Sequence, residues 1–188
     1  YLLHKIKPKN IFSLDDDINM VNIKMGETTR NLSFQEKYSH ILCLLGVENI
    51  DDQYIIPLKT MDYNISSYDV IVNPFGSTRY KSLSIQRTAS LLESICIHYP
   101  NEKIGLLSSP TTQATAKEII DVTANKNVTL IENMNSIYDV ANVIARSKLV
   151  VSVDTAIVHI AVGLNKRLVS IFPKNDESFN PWIPRKTA

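Results

Sequence analysis

Over residues 69–173, five short apolar runs alternate with amphipathic segments, and no other feature of the sequence constrains the fold as much. The runs are apolar at consecutive positions, without the two-residue alternation of a strand that has one face in water. Such strands need cover on both faces, and the intervening segments have the helical spacing that supplies it. The predicted strands are 70–72, 104–107, 128–131, 149–153 and 168–172. The sequence therefore predicts an α/β fold with a Rossmann-like, doubly wound parallel sheet.

The first part of the chain has a different pattern. Residues 9–14 are predicted to form a short strand and 15–32 a polar loop, whose three consecutive aspartates are interpreted as a solvated turn in preference to a cation site. Ser33 and Glu36 have the spacing of a capping box, which predicts a helix that ends at Gly46.

Composition excludes several classes of protein. The chain has 20 basic and 19 acidic residues, so it lacks the basic excess of a protein that binds nucleic acid through general phosphate attraction. No apolar stretch approaches the roughly 18 residues of a membrane span. Cys43 and Cys96 are interpreted as reduced core thiols, and no Cys/His pair has metal-binding spacing, so no metal site is predicted.

The loop after the first strand of the sheet contains a glycine, hydroxyls and cations just before a helix. Gly76 is interpreted as letting the backbone approach a ligand, while Ser77, Thr78 and Lys81 offer hydroxyl and ammonium donors. This is the chemistry of a phosphate cradle. The alternative is an ordinary exposed turn between a strand and a helix.

The loop after the fourth strand is more specific. Asp154 stands where an N-cap is expected, and the backbone N–H groups of Thr155 and Ala156 would open the next helix, where anions are favoured. His159 follows Thr155 by four residues and shares its helical face. The alternative for His159 is a core histidine.

The second and third loops are weaker candidates. Thr112 ends one of them, and Asn133 and Met134 lie in the other. Their side chains could contact a ribose or a base, although generic turn chemistry explains them equally well.

Two runs resemble a known family. SVDTAIVHIAVGLNKRLVSIF at 152–172 is similar to the strand–D-T-G/A-x-x-H–helix signature of glycosyltransferase family 9, the ADP-heptose:lipopolysaccharide heptosyltransferases. NPFGSTRYKSLS at 73–84 resembles the family's loop with Thr and Lys before a helix. The endings FP at 172–173 and PWIP at 181–184 also fit the family pattern.

The resemblance implies the C-terminal half of a GT-B fold and a division of the chain into four parts. Residues 1–47 would end the N-terminal, acceptor-side domain, 48–68 would be an interdomain connector, 69–173 the donor-binding domain and 174–188 a C-terminal tail. It further implies inverting transfer of heptose from ADP-heptose to a sugar of the lipid A–core oligosaccharide. No cofactor is implied, and the location would be cytoplasmic, with peripheral contact at the inner membrane.

The resemblance also assigns donor-binding roles. Thr78 and Lys81 would contact the donor diphosphate, and the 132–135 loop would flank the adenine. The residues expected around the diphosphate and sugar are Asp154, Thr155, Ala156 and His159.

The family's catalytic base is an aspartate in the first, glycine-rich loop of the N-terminal domain, and no residue of this chain matches it. The catalytic residue is therefore unassigned, and the 188 residues are expected to bind donor without transferring sugar.

Two other functions remain open from the residues. One is a different GT-B enzyme, either a transferase that uses a UDP- or GDP-sugar or a nucleotide-sugar epimerase. The other is a non-catalytic nucleotide-binding α/β module. A dinucleotide-dependent dehydrogenase is disfavoured, since no G-x-G-x-x-G follows a predicted strand.

Overall fold

A computed structural model describes residues 5–51, 54–60 and 66–173, and the chain divides into two compact units. Of the described residues, 5–51 belong to the first unit and the remainder to the second. The sequence-based boundaries at 47/48 and 68/69 stay predictions. The predicted tail, 174–188, and its PWIP run lie outside the described residues.

The first unit contains a small parallel sheet and a helix. Its elements are β1 (Phe12–Ser13), β2 (Ile23–Lys24) and α1 (Phe34–Leu44). The predicted strand at 9–14 is thus only two residues long, and the segment 15–32, predicted to be a polar loop, contains β2. A two-residue strand leaves no periodic pattern, so sequence could not reveal this pairing.

The carboxylate of Asp16 organises the turn between these strands. It accepts hydrogen bonds from the backbone N–H groups of Gly26 at 2.9 Å and Glu27 at 3.0 Å, and these bonds lower its pKa. Across the residues that the structure describes, no three His, Cys, Asp or Glu side chains are grouped to hold a metal ion. Within the run, the carboxylate of Asp16 therefore binds backbone N–H groups.

Helix α1 begins with the predicted capping box. The Ser33 hydroxyl accepts from the Glu36 N–H at 3.4 Å, and the Glu36 carboxylate accepts from the Ser33 N–H at 2.8 Å. Gly46, with φ of +83°, follows the end of the helix. The interpretation of Cys43 as a core thiol is wrong, because Lys37 is the only buried residue of α1 and Cys43 is exposed; Cys96 is buried as expected.

The second unit is built on a five-stranded sheet in which every pairing is parallel. The strands, in chain order, are β3 (Val70–Asn73), β4 (Ile104–Leu106), β5 (Val128–Leu130), β6 (Leu149–Val153) and β7 (Arg167–Ile171). Each agrees with its predicted range to within one residue at either end. Their order across the sheet is β5-β4-β3-β6-β7.

Four helices cover both faces of this sheet. They are α2 (Ile85–His98), α3 (Gln113–Thr123), α4 (Ile137–Arg146) and α5 (Ala156–Gly163). Val70 and Val72 of β3 share one apolar cluster with α2 and α3, whereas Ile71 shares the other with α4 and α5. The predicted doubly wound sheet is confirmed. Among the described residues, no helix has both the length and the apolar character needed to cross a bilayer.

The strand order identifies a topological switch point between β3 and β6. The chain goes from β3 outward to β4 and β5, then returns across β3 to continue with β6 on its other side. The loops that leave the carboxyl ends of β3 and β6 therefore turn toward opposite faces. In open α/β sheets, the crevice between two such loops is where ligands bind.

Candidate functional site

A buried polar network joins the two strands at this switch point. Asn73 and Ser152 are register partners at the carboxyl ends of β3 and β6. The Asn73 amide donates to the hydroxyl of Ser152 at 3.0 Å and to that of Thr155 at 3.1 Å. Because Ser152 is fully buried and Asn73 nearly so, these bonds fix the start of α5 against the end of β3. The sequence predictions assign no role to Asn73 or Ser152. The signal for Asn73 is a polar residue that ends an apolar strand, and the signal for Ser152 is a polar residue inside one.

The loop after β3 folds back on itself through Gly76. A Cβ at this position would lie 2.5 Å from the Cβ of Lys81 and 2.7 Å from its carbonyl oxygen. The Gly76 N–H also donates to the Ser82 hydroxyl at 2.9 Å. The close approach that this glycine permits within the protein is to Lys81 of its own loop, and its approach to a ligand stays a prediction.

A turn of 3-10 helix, Arg79–Lys81, then presents Lys81. Its cap is Thr78, whose hydroxyl accepts from the Lys81 N–H at 3.4 Å. Ser77 and Thr78 are exposed on the same turn. The predicted cradle residues thus come from one short, internally hydrogen-bonded segment.

An ion pair links the two loops across the switch point. The ammonium of Lys81 lies 2.8 Å from a carboxylate oxygen of Asp154. The side chain of Asp154 is 9% exposed and that of Lys81 is 28% exposed. The pair therefore lies at the rim of the crevice, with its carboxylate side more deeply buried.

The prediction that Asp154 is the N-cap of the last helix is wrong. The cap is Thr155, whose hydroxyl accepts from the N–H of Ile157 at 3.3 Å. Asp154 still belongs to the sheet edge, because its N–H donates to the carbonyl of Ile171 at 3.2 Å. The carboxylate of Asp154 is paired with Lys81 and its N–H is bonded to β7, and Thr155 is therefore the residue that caps the helix.

His159 lies one turn into α5 and contacts a residue that sequence reasoning missed. Its Nδ1 is 3.4 Å from the hydroxyl of Tyr54, and the two rings meet edge to face at 75°, with centroids 5.9 Å apart. Burial lowers the pKa of His159, while the negative charge of Asp154 acts in the opposite direction. No short-range pattern could have identified Tyr54, which is 105 positions away in the chain.

The remaining predicted residues lie farther along the same edge, after β4 and β5. The Thr112 hydroxyl accepts from the Ser109 N–H at 2.9 Å, immediately before α3. Asn133 is exposed with φ of +62°, and Met134 is partly buried against the cluster that contains Ile131. The structure thus brings Lys81, Asp154, Thr155 and His159 together. It places Thr112, Asn133 and Met134 after the neighbouring strands β4 and β5.

The central group combines two kinds of binding chemistry. The ammonium of Lys81 and the backbone N–H groups at the start of α5, including exposed Ala156, suit an anion. The carboxylate of Asp154 only accepts hydrogen bonds, so it suits hydroxyl groups and repels anions. A ligand that joins phosphate to a polyol satisfies both.

Comparison with known proteins gives a family match over more than half of the chain. The model for glycosyltransferase family 9 (heptosyltransferase) matches residues 81–188. No curated protein matches significantly.

Two solved structures share the fold. E. coli heptosyltransferase WaaC with ADP has a TM-score of 0.52 at 22% identity, over 58% of this chain and 35% of that one. E. coli ADP-heptose lps heptosyltransferase II has a TM-score of 0.52 at 17% identity, over 80% of this chain and 41% of that one. The chain thus covers 35% to 41% of the length of these structures. They confirm the predicted fold class, the Rossmann-like sheet of a GT-B protein.

Proposed function

Because the chain belongs to glycosyltransferase family 9, we propose that it carries the donor-binding half of a heptosyltransferase. The donor is ADP-heptose, and the acceptor is an inner-core sugar of lipopolysaccharide or lipooligosaccharide. The reaction takes place in the cytoplasm, at the inner face of the inner membrane.

The observation that carries this proposal is the Lys81–Asp154 ion pair at the switch point. It joins the loops of two strands whose following helices lie on opposite faces of the sheet, where an α/β sheet binds its ligand. A nucleotide sugar has anionic phosphates next to a hydroxyl-rich ring. The ammonium of Lys81 matches the phosphates, and the carboxylate of Asp154 matches the hydroxyl groups of the ring.

We assign the diphosphate to the start of α5 and to the turn that presents Lys81. The N–H groups of Thr155 and Ala156 and the hydroxyls of Ser77 and Thr78 supply neutral donors, and Lys81 supplies the charge. Asp154 holds the ammonium at the rim and shares it with the phosphates when donor is bound. The imidazole of His159 lies next to the leaving diphosphate.

The nucleoside belongs to the outer strands of the same edge. Thr112, at the start of α3, is the proposed ribose contact, and Asn133 and Met134 flank the base. ADP was present in one of the heptosyltransferases of similar fold, and adenine is the base that we propose here.

The transfer itself needs a group that we assign to no residue of this chain. Inversion requires a base that takes the acceptor proton on the side opposite the leaving diphosphate. We therefore propose that the 188 residues bind ADP-heptose and do not transfer the heptose.

Calorimetry with ADP, UDP and GDP tests the proposal. ADP is expected to bind at least about tenfold more tightly than the other two, and Lys81→Ala to weaken ADP about tenfold at low salt and by less at high salt. Lys117→Ala, an exposed lysine of α3, is the matched control and should have no effect. Equal affinity for the three nucleotides, or no binding to any of them, would contradict the proposal.

A further inference from the structure

The segment 54–60 packs along α5 in the second unit. A Cβ on Gly163, the last residue of the helix, would lie 2.5 Å from Cγ1 of Ile56 and 2.8 Å from the Cβ of Tyr54. Glycine at this position lets the segment come into direct contact with the helix. The segment is fixed again at the carbonyl of Lys59, which accepts from the buried amide of Asn142 at 3.0 Å.

This packing places Tyr54 against the imidazole of His159. The edge-to-face contact between the rings limits rotation of the imidazole, and the tyrosine hydroxyl is 3.4 Å from Nδ1. Such a contact orients the ring and can also select its tautomer. A neutral histidine has one N–H donor and one acceptor nitrogen, so a partner at one nitrogen determines what the other presents.

We propose that Tyr54 is a positioning residue for His159: its hydroxyl donates to Nδ1 and leaves the proton on Nε2. His159 then offers a fixed N–H donor from the far side of its ring. That this proton serves the donor diphosphate rests on the proposed function, whereas the tautomer itself does not. Through Tyr54, the segment that precedes the sheet thereby determines which nitrogen of His159 carries the proton.

The protonation states of both partners agree with this arrangement. Burial raises the pKa of Tyr54, which keeps its hydroxyl protonated at neutral pH. Burial also lowers the pKa of His159, against the opposing effect of Asp154, so Nδ1 is able to accept. Near this pair, the hydroxyl of Thr155 accepts from the Asn73 amide and the ammonium of Lys81 pairs with Asp154.

Tyr54→Phe tests the proposal because it keeps the ring contact and removes only the hydroxyl. Nitrogen-15 NMR of the imidazole reports the tautomer directly. The unmodified chain is expected to show His159 with its proton on Nε2, and Tyr54→Phe to shift the spectrum toward a mixture of the two tautomers. Tyr99→Phe is the matched control, since it removes the hydroxyl of a tyrosine at the C-cap of α2. An unchanged tautomer in Tyr54→Phe would overturn the proposal.

Binding of ADP supplies the second measurement. Tyr54→Phe is expected to weaken ADP by a few fold in the unmodified chain and to have no effect in a His159→Ala background, because it acts through the imidazole. Equal effects in both backgrounds would overturn the positioning role. If ADP binds to neither chain, the proposed function fails, and the tautomer measurement still decides the role of Tyr54.

Discussion

At the scale of single residues, the site depends on how a few polar side chains are paired. Lys81 and Asp154 neutralise each other, and because the carboxylate side chain is only 9% exposed, the cost of its desolvation offsets much of their attraction. The role of the pair is therefore positional: the carboxylate holds the ammonium at the proposed diphosphate site. His159 also depends on its surroundings, because burial lowers its pKa and so disfavours protonation of the imidazole.

The depressed pKa of His159 predicts a pH-dependent contribution to stability. The unfolded chain protonates this histidine near its ordinary pKa of 6.5, above the folded value. The contribution is therefore complete above about pH 6.5 and is lost as the pH falls through the folded pKa. Urea unfolding between pH 5 and 8 measures it as the difference in unfolding free energy between the unmodified chain and His159→Gln.

This difference removes the effect of the carboxylates, which titrate in both proteins. It should increase from pH 5 to pH 7 in favour of the unmodified chain and be constant above that. A difference that is independent of pH, or that increases toward pH 5, would show that the imidazole is not held in its neutral form.

At the scale of elements, close backbone contacts at glycine position the site. Gly76 allows the loop after β3 to close on Lys81, and Gly105 lies within β4 under the side chains of Ile131 and Tyr68. A Cβ at either glycine would be crowded by neighbouring atoms, but the two close contacts have different roles. Gly76 shapes a loop at the proposed binding edge, and Gly105 permits packing in the core.

Alanine at these two glycines should therefore separate binding from stability. Gly76→Ala would displace the backbone of Lys81, so we expect the ADP affinity of the folded protein to fall about tenfold. Gly105→Ala would overpack the core and cost about 1–3 kcal/mol of unfolding free energy, without affecting ADP binding by the folded protein. Calorimetry and urea unfolding on both variants measure the two effects, and the reverse assignment would refute the account of the loop.

The elements differ in how far sequence predicts them. The strands of the large sheet are found to within one residue, because a parallel strand covered on both faces is apolar at most of its positions. The capping box of α1 is also local, so Ser33 and Glu36 suffice to predict it. β2 is missed, since its two residues are held by pairing with β1, eleven positions earlier, and by no pattern of their own.

At the scale of the whole molecule, the strand order brings the predicted residues to one edge. The sequence places Lys81 in the loop after β3 and Asp154 directly after β6. Parallel pairing of β3 with β6 and the fold of that loop then bring the two side chains within 2.8 Å. The choice between Asp154 and Thr155 as the cap could not be predicted, because both residue types cap helices and the long-range bond to Lys81 decides. Tyr54 and Asn73 were missed for the same reason: their roles exist only once distant segments have packed.

The most direct test of the donor site is an amide NMR titration of the nitrogen-15-labelled chain with ADP. The largest shifts are expected on residues 76–81 and 154–159, which follow the carboxyl ends of β3 and β6, with smaller shifts near Thr112 and Asn133. Shifts confined to other parts of the sheet, or none at saturating ADP, would contradict the proposed donor site.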